Sequence, residues 1–297
     1  MKKILLIGKD GQVGWELQRA LILLGEIKAV DVADCDLTNP DQLKSLIRTY
    51  NPNVIVNAAA YTAVDKAESD EQVANAVNAI APQIMAEEAA LSGALLIHYS
   101  TDYVFDGTKA GFYAEDDVTH PLSVYGATKL AGEIAIQKSG CEHLIFRTSW
   151  VFAARGANFA KTMLKLAKQR EELKVVGDQF GAPTSAELLA DVTALCIRQK
   201  LQAPSESPDG VYHLVANGET TWHAYARYVI KTAIDIGQDL KCLPENVISI
   251  PASDYPVPAK RPQNSKLNTS KIRITFGINL PDWQYHAHRM LSEILAN

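Results

Sequence analysis

The sequence predicts a doubly wound α/β fold, in which helices cover both faces of a parallel sheet. Short β-branched apolar runs alternate with longer amphipathic segments through the first half of the chain. The runs are apolar throughout, as strands buried on both faces of a parallel sheet require. We expect strands at residues 4–7, 27–32, 54–56, 95–99 and 144–147, and helices at 12–24, 40–50, 70–92 and 122–139.

Composition narrows the class of protein. The chain has 297 residues, of which 47% are hydrophobic and 21% charged, with a formal net charge of −5 at pH 7. These values are typical of globular proteins, and the scattered Lys and Arg residues argue against a nucleic-acid or anionic-membrane partner. No apolar stretch reaches the ~18 residues of a membrane span, and the first apolar run is too short for a signal peptide. We expect a cytoplasmic protein with small-molecule ligands.

The cysteines support that expectation. Four of them stand far apart in the sequence, with no metal-ligand spacing among them, at Cys35, Cys141, Cys196 and Cys242. Isolated cysteines of this kind are typical of reduced thiols in the cytoplasm.

The first strand leads into a glycine-rich segment, Gly8-Lys9-Asp10-Gly11-Gln12-Val13-Gly14, which opens the first predicted helix. Glycines allow the backbone to approach a pyrophosphate, whose charge is stabilised by the amides at a helix N-terminus. The same pattern also occurs in simple tight turns. Its position after the first strand favours a dinucleotide site.

Asp31 ends the second predicted strand, 20 positions after Gly11. A carboxylate at this point binds the adenosine ribose in dinucleotide-binding folds. With Asp34 and Asp36 nearby, a 2′-phosphate would be repelled, which favours NADH over NADPH, although Lys9 offsets part of that repulsion. A structural turn residue is the alternative interpretation of Asp31.

The third strand ends in small residues, Asn57-Ala58-Ala59-Ala60, before Tyr61 and Thr62. Small side chains allow a nicotinamide or its ribose to lie against the carboxyl end of a strand. Helix packing is an equally simple reason for them.

The strongest chemical signal is Tyr125-Gly126-Ala127-Thr128-Lys129, downstream of a strand that ends in Ser100 and Thr101. Residues four apart share a helix face, which predicts that the Lys129 ammonium lies near the Tyr125 phenol. A charge about 4 Å away lowers a phenol pKa by roughly three units at an effective dielectric of about 20, so Tyr125 becomes a proton donor. Ser100 or Thr101 would then hold the substrate oxygen.

After about Trp150 the alternation weakens and prolines accumulate, as in loops that build a ligand-binding lobe. A helix near 187–199 and a strand at 211–214 still have the pattern of the first half. We therefore predict a dinucleotide-binding domain of residues 1–152 and about 183–216, and a smaller C-terminal substrate-binding domain of about 153–182 and 217–297. The basic stretch Lys260-Arg261-Pro262, with Lys266, suits a nucleotide diphosphate or is a solvated loop.

Together, GKDGQVG, NAAAYTAVDKAE, YSTDYVF, YGATKLAGE and RTSWVF resemble the extended short-chain dehydrogenase/reductases, which have a Rossmann-type sheet. GAPTSAELLAD and RPQNSKLN resemble, within that superfamily, the dTDP-4-dehydrorhamnose reductase family. The resemblance covers nearly the whole chain. It implies an NADH- or NADPH-dependent, homodimeric enzyme of dTDP-rhamnose synthesis that reduces the C4 keto group of a dTDP-sugar.

The resemblance also implies roles for individual residues. Tyr125 is the expected proton donor, Lys129 holds the nicotinamide ribose and Thr101 assists at the sugar oxygen. Thr101, Asp102 and Trp150 are expected to face the deoxysugar nucleotide. The expected cofactor contacts are Gly8, Gly11, Gln12, Val13, Gly14, Asp31, Asp36, Leu37, Ala60, Tyr61, Thr62, Tyr99, Tyr125 and Lys129. In related reductases three glutamates bind Mg²⁺ at a dimer interface, and they correspond to Glu16, Glu187 and Glu293, each of which otherwise resembles a solvated helix carboxylate.

Two alternatives remain open from the sequence. The catalytic pair is widely shared, so the chain could reduce or epimerise another sugar nucleotide. It could also be a non-catalytic regulatory subunit that keeps the fold and a bound dinucleotide. The presence of Thr101, Tyr125 and Lys129 together disfavours the second alternative.

Overall fold

A computed structural model describes residues 1–296. Asn297, the last residue of the predicted substrate-binding domain, lies outside the described residues. The predicted fold class is confirmed, because a parallel sheet with helices on both faces forms the centre of the molecule.

The central sheet has six strands, all parallel, in the order β10-β5-β4-β3-β1-β2. The chain order reverses between β1 and β3, which places a ligand crevice at the carboxyl ends of these strands. Six shorter strands form two-stranded pairs outside it. The strands are β1 (Lys2–Ile7), β2 (Gly25–Val30), β3 (Val54–Asn57), β4 (Leu95–Thr101), β5 (His143–Thr148), β6 (Val151–Phe152), β7 (Leu173–Val176), β8 (Phe180–Gly181), β9 (Thr184–Ser185), β10 (Gly210–His213), β11 (Thr220–Thr221) and β12 (Val247–Ile250).

Local sequence signals place several helix ends. Asn39 accepts a hydrogen bond from the Gln42 amide and Pro40 occupies the first turn, so the second helix begins where the sequence predicts. The helices are α1 (Gln12–Leu21), α2 (Pro40–Tyr50), α3 (Val64–Ala67), α4 (Glu71–Asn75), α5 (Ala81–Ser92), α6 (Val124–Lys138), α7 (Phe159–Gln169), α8 (Ala186–Gln202), α9 (Trp222–Asp235), α10 (Ser270–Phe276) and α11 (Trp283–Leu295).

The sheet separates two apolar cores. Alternate residues of β1 point to opposite faces, so Ile4 and Leu6 pack with α1, α7, α8, α9 and α11, while Leu5 and Ile7 pack with α2 and α5. Helix α8 lies against α1, and β10 extends the sheet beside β5. The division of the chain into two domains stays a prediction.

The helix predicted at 70–92 is not continuous. Residues Ala76–Ile80 form a π-helix between α4 and α5. Here Asn78 is fully buried, and its side chain accepts a hydrogen bond from the Tyr61 amide at 2.9 Å and donates one to the Tyr61 carbonyl at 3.2 Å. Short π-helical turns inside α-helices are rare and frequently occur at functional sites.

The remaining global expectations concern the membrane and the thiols. No helix within residues 1–296 combines the length and apolarity that crossing a bilayer requires. All four cysteines are buried free thiols.

Candidate active site

The carboxyl ends of β1 to β5 and the start of α6 enclose one cavity of about 450 Å³. Such a volume is within the usual range of small-molecule sites. Sixteen residues named from the sequence line it: Gly8, Gly11, Gln12, Val13, Asp31, Ala58, Ala59, Ala60, Thr62, Tyr99, Ser100, Thr101, Asp102, Tyr125, Lys129 and Trp150.

The glycine loop is shaped by close backbone contacts. Gly8 has a φ of +90°, and a Cβ there would lie 2.7 Å from the Ala59 amide nitrogen. Gly11 is the residue before α1, and no side chain caps that helix end. The first-turn amides of α1 are therefore not capped by protein side chains, and they sit beside a cavity that could hold an anion.

Gly14 does not line the cavity but holds the loop in place, because a Cβ at Gly14 would lie 1.8 Å from the Gly8 carbonyl oxygen. We expect Gly14→Ala to displace the loop and raise the Kd for a reduced nicotinamide dinucleotide by about tenfold or more, measured by fluorescence titration. Gly111→Ala is the matched control, since a Cβ at Gly111 meets no atom within 4 Å. Unchanged affinity in the Gly14 variant would exclude this loop as the binding site.

Asp31 is both a turn residue and part of the cavity wall. Its carboxylate accepts hydrogen bonds from the amides of Asp10 at 2.9 Å and Val32 at 2.8 Å. The Lys9 ammonium forms an ion pair with Asp34. That pairing reduces the positive charge which the sequence offers to a 2′-phosphate.

Tyr125 is half-buried at the start of α6, and its ring packs edge-on against Tyr103 with centroids 5.6 Å apart. Burial raises the pKa of Tyr125 to about 12, and the Thr101 hydroxyl opposes only part of that rise. The expectation that Lys129 lowers this pKa is therefore wrong in the structure. The desolvation of the phenolate is the largest cause of the rise, and the negative charge of Asp102 adds to it.

Lys129 is almost fully buried on the same helix, one turn after Tyr125. Its ammonium nitrogen lies 2.6 Å from the Tyr99 carbonyl oxygen and 3.1 Å from His98 Nε2. Burial lowers the pKa of Lys129 to about 8, and the Glu133 carboxylate opposes that change. Tyr125 and Lys129 line the same cavity, but the lysine is hydrogen-bonded to β4.

The cavity lining also contains buried polar groups without partners. Within the described residues, Asp102 Oδ2, Ser100 Oγ and Thr148 Oγ1 are buried without a hydrogen-bond partner. Burial raises the pKa of Asp102 to about 6, opposed by its hydrogen bonds with Ser265 and Thr101. Buried polar groups of this kind need partners, which the hydroxyls of a bound ligand can supply.

Trp150 has an unusual backbone conformation for a bulky residue, with a φ of +48°. Its indole stacks on Trp222 at a centroid distance of 3.6 Å. Gly181 leaves the space for this ring, since a Cβ there would lie 2.7 Å from the indole. Strained residues cluster at ligand sites, which favours a binding role for Trp150.

Four expected cofactor residues lie outside the cavity lining: Gly14, Asp36, Leu37 and Tyr61. The Asp36 carboxylate accepts from Thr38, Leu37 is buried in the core beneath α2, and the Tyr61 hydroxyl donates to Asp70 at 3.0 Å. Their contact with a cofactor stays a prediction.

The three glutamates expected to bind Mg²⁺ do approach one another. Burial raises the pKa of Glu16, and the carboxylates of Glu187 and Glu293 add to that rise. Glu187, however, is bonded through both oxygens to Arg289 at 3.0 Å, and Glu16 pairs with Arg19. No set of three potential ligands within residues 1–296 is arranged to hold a metal ion. One chain alone does not fit Mg²⁺, which needs an octahedral set of oxygens.

The basic stretch has partners of its own. Arg261 forms an ion pair with Asp65 at 2.9 Å, and Lys266 pairs with Glu219 at 3.2 Å. The Arg261 guanidinium also interacts with the Tyr103 phenol, which lines the cavity. A role in binding a diphosphate stays a prediction.

Sequence reasoning missed part of the lining: Val64, Tyr103, Thr148, Ser149 and Val151. Thr148 is the last residue of β5 and Ser149 follows it, at the edge of the sheet where the other site residues lie. That common position at a strand end was the available signal.

The chain is similar to known proteins over almost its full length. The family model described as the RmlD substrate binding domain matches residues 1–296. The dTDP-4-dehydrorhamnose reductase of Escherichia coli strain K12 is 54% identical over 297 residues, covering 99% of this chain and 98% of the relative. The protein of that name from Burkholderia thailandensis is 46% identical, with 99% of each chain covered.

A solved structure shows the same fold. It is the dTDP-4-dehydrorhamnose reductase of Bacillus anthracis in complex with NADP, which is 32% identical and has a TM-score of 0.87, covering 98% of this chain and 99% of that one. The matches extend over nearly the whole chain. The chain therefore belongs to the dTDP-4-dehydrorhamnose reductase family and is an oxidoreductase.

Proposed function

We propose that the protein uses NADH or NADPH to reduce the C4 keto group of dTDP-4-dehydro-L-rhamnose to dTDP-L-rhamnose, the last step in making this activated sugar. The observation that carries the proposal is the single cavity in which the glycine loop, Thr101, Tyr125 and Lys129 meet. Relatives with the reductase name support the substrate.

The residues fit a dinucleotide. The uncapped N-terminus of α1 and the space left by Gly8 suit a pyrophosphate, and Asp31 lines the cavity at the end of β2. When bound, the reduced nicotinamide supplies the hydride. Lys129 and Tyr99 lie on the same wall and are assigned to orient the nicotinamide half.

Tyr125 is assigned as the proton donor. A phenol with a pKa of about 12 is fully protonated at neutral pH, so it can donate to the oxygen of a carbonyl as negative charge develops there. The Thr101 hydroxyl, beside it, would hold the same oxygen. Asp102 and Trp150 would position the sugar through a buried carboxylate and an aromatic surface.

The test is substrate-dependent oxidation of the reduced dinucleotide. The purified protein is mixed with dTDP-4-dehydro-L-rhamnose generated in place, and the absorbance of NADH or NADPH is followed in separate reactions. We expect oxidation only when the sugar nucleotide is present. A bound dinucleotide without oxidation would favour the regulatory-subunit alternative, and activity with a different keto sugar alone would move the assignment to that sugar.

We also propose that the protein is a homodimer. Leu23 on the surface after α1 is 89% exposed and Leu195 on α8 is 53% exposed, beside the ion pair of Arg19 with Asp191. Adjacent exposed apolar side chains rimmed by charges are typical of association surfaces. Light scattering should give about twice the 32.5 kDa chain mass, and Leu195→Glu should shift it toward the monomer.

A further inference from the structure

Three buried polar side chains form a chain of hydrogen bonds behind the cavity wall. Asn57 ends β3, His98 lies in β4 and Lys129 lies in α6, and all three are at most 1% exposed. Asn57 Nδ2 is 3.0 Å from His98 Nδ1, and His98 Nε2 is 3.1 Å from Lys129 Nζ. Only the lysine has a place in the function proposed above.

The amide of Asn57 has one favourable orientation. The Ala59 backbone amide donates to Asn57 Oδ1 at 3.2 Å, so the NH₂ group faces His98 Nδ1. An NH₂ group only donates, which makes Nδ1 the acceptor and places the imidazole proton on Nε2. The reversed amide would set two N–H donors against each other at Ala59.

The assigned tautomer has a consequence for Lys129. Its Nζ already lies 2.6 Å from the Tyr99 carbonyl oxygen and faces the Nε2–H group of His98. An ammonium has no lone pair and cannot accept that hydrogen, whereas the neutral amine can. Every bond of this network is satisfied when Lys129 has lost one proton.

The charged groups around Lys129 allow its ammonium form to exist. Glu133 follows Lys129 by one turn of α6 and favours the ammonium, although Arg147 of β5 binds that carboxylate at 2.7 Å. Tyr125 precedes Lys129 by one turn, and β3 contributes the uncharged Asn57. Burial opposes this attraction and lowers the pKa of Lys129 to about 8.

We propose that His98, oriented by Asn57, is a positioning residue that presents Nε2–H to Lys129 and so lets this lysine release and regain a proton during turnover. When Tyr125 has donated its proton to the substrate oxygen, the phenolate takes one from Lys129. The resulting amine accepts the His98 hydrogen bond, and a proton from solvent restores the ammonium. One solvent proton thereby reaches the product, and the residues return to their starting state.

Two variants of His98 distinguish its contact with Lys129 from its contact with Asn57. In His98→Gln the side-chain amide reaches the place of Nε2 and can turn its oxygen to the lysine. In His98→Asn the amide reaches only the place of Nδ1, so Lys129 loses its partner. His143→Gln is the matched control, because His143 is also buried on the neighbouring β5, and within residues 1–296 its ring bonds only the Cys141 carbonyl, at 2.9 Å.

The direct readout is an NMR titration of lysine labelled at the ε-carbon in the ligand-free protein, with the Lys129 signal identified by its loss in Lys129→Arg. We expect a midpoint near pH 8 in the unaltered protein. In His98→Gln the midpoint should rise by about one pH unit, because the amide oxygen stabilises the ammonium. His143→Gln should not move it. An unmoved midpoint in His98→Gln, whatever its thermal stability, would show a purely structural histidine.

Asn57→Asp is a second variant that tests the proposed tautomer of His98. Its carboxylate would accept from Nδ1, leaving Nε2 to accept from the lysine, so the midpoint should again rise. An unchanged midpoint in this variant would overturn the proposed tautomer.

The kinetic part rests on the proposed function. In His98→Gln, the decrease of kcat/KM at alkaline pH should shift to higher pH by the same amount as the Lys129 titration midpoint. In His98→Asn, kcat should fall by about tenfold with little change in KM. If the unaltered protein reduces no dTDP-keto sugar, the proposed function fails, and the titration still decides the role of His98.

Discussion

Replacing Tyr125 with phenylalanine is expected to lower kcat by about 10³-fold while leaving the affinity for the reduced dinucleotide within about twofold. The variant removes the hydroxyl that is assigned as proton donor. It retains the aromatic ring, whose edge-on contact with Tyr103 at 5.6 Å does not involve the hydroxyl. The loss should therefore appear in turnover and not in folding or cofactor binding.

Stopped-flow and steady-state assays with dTDP-4-dehydro-L-rhamnose provide the measurement, and fluorescence titration gives the dinucleotide affinity. Tyr228→Phe is the control, because its hydroxyl donates to the Gln284 carbonyl at 3.2 Å and interacts with Thr232, and Tyr228 lies outside the cavity lining. Because burial raises the pKa of Tyr125 to about 12, the donor stays protonated throughout the usual assay range. A Tyr125→Phe enzyme with near-normal kcat would assign the proton donation to another group.

Replacing Lys129 with methionine is expected to abolish turnover and to change how stability depends on pH. The pKa of Lys129 is 10.5 in an unfolded chain and about 8 in the fold, where burial disfavours the ammonium. Below pH 8 the lysine is charged in both states, so its destabilising effect is complete. Between pH 8 and 10.5 the folded protein holds fewer protons than the unfolded chain, and stability rises with pH.

The size of this effect follows from the difference between the two pKa values and is about 3 kcal/mol. The free energy of unfolding of Lys129→Met minus that of the unaltered protein should therefore fall by about this amount from pH 8 to 10.5. Urea unfolding at several pH values measures it. A difference that does not vary with pH would contradict the assigned burial of the charge.

Lys200→Met is the matched control for a buried lysine. The Lys200 ammonium is bonded to the Asp209 carboxylate at 2.9 Å and to the Ser207 carbonyl at 2.8 Å. Removing one partner of such a pair leaves the other unsatisfied, so this variant should be destabilised already at pH 7. It should leave turnover intact, because Lys200 lies at the end of α8, away from the cavity.

Most of the central sheet was predictable because its signals are local. The apolar runs at residues 4–7 and 95–99 become β1 and β4, and α2 begins where its Asn39 cap and Pro40 indicate. The glycine loop and the Tyr125–Lys129 spacing were also visible, since each depends on residues within one turn or one helix. The interruption of residues 70–92 by a π-helix was not visible in the sequence, because the Asn78 side chain within it bonds Tyr61, 17 positions away in the chain.

The candidate site divides in the same way. The sequence by itself determined the fold class, the family and the side chains that meet at the strand ends, because periodicity and strand-end position are encoded by neighbouring residues. Only the tertiary structure decided the proton affinities of Tyr125 and Lys129, the bonding of Lys129 to His98, and the ion pair that engages Glu187. Those properties depend on desolvation and on partners far away in the chain, and neither can be read from spacing.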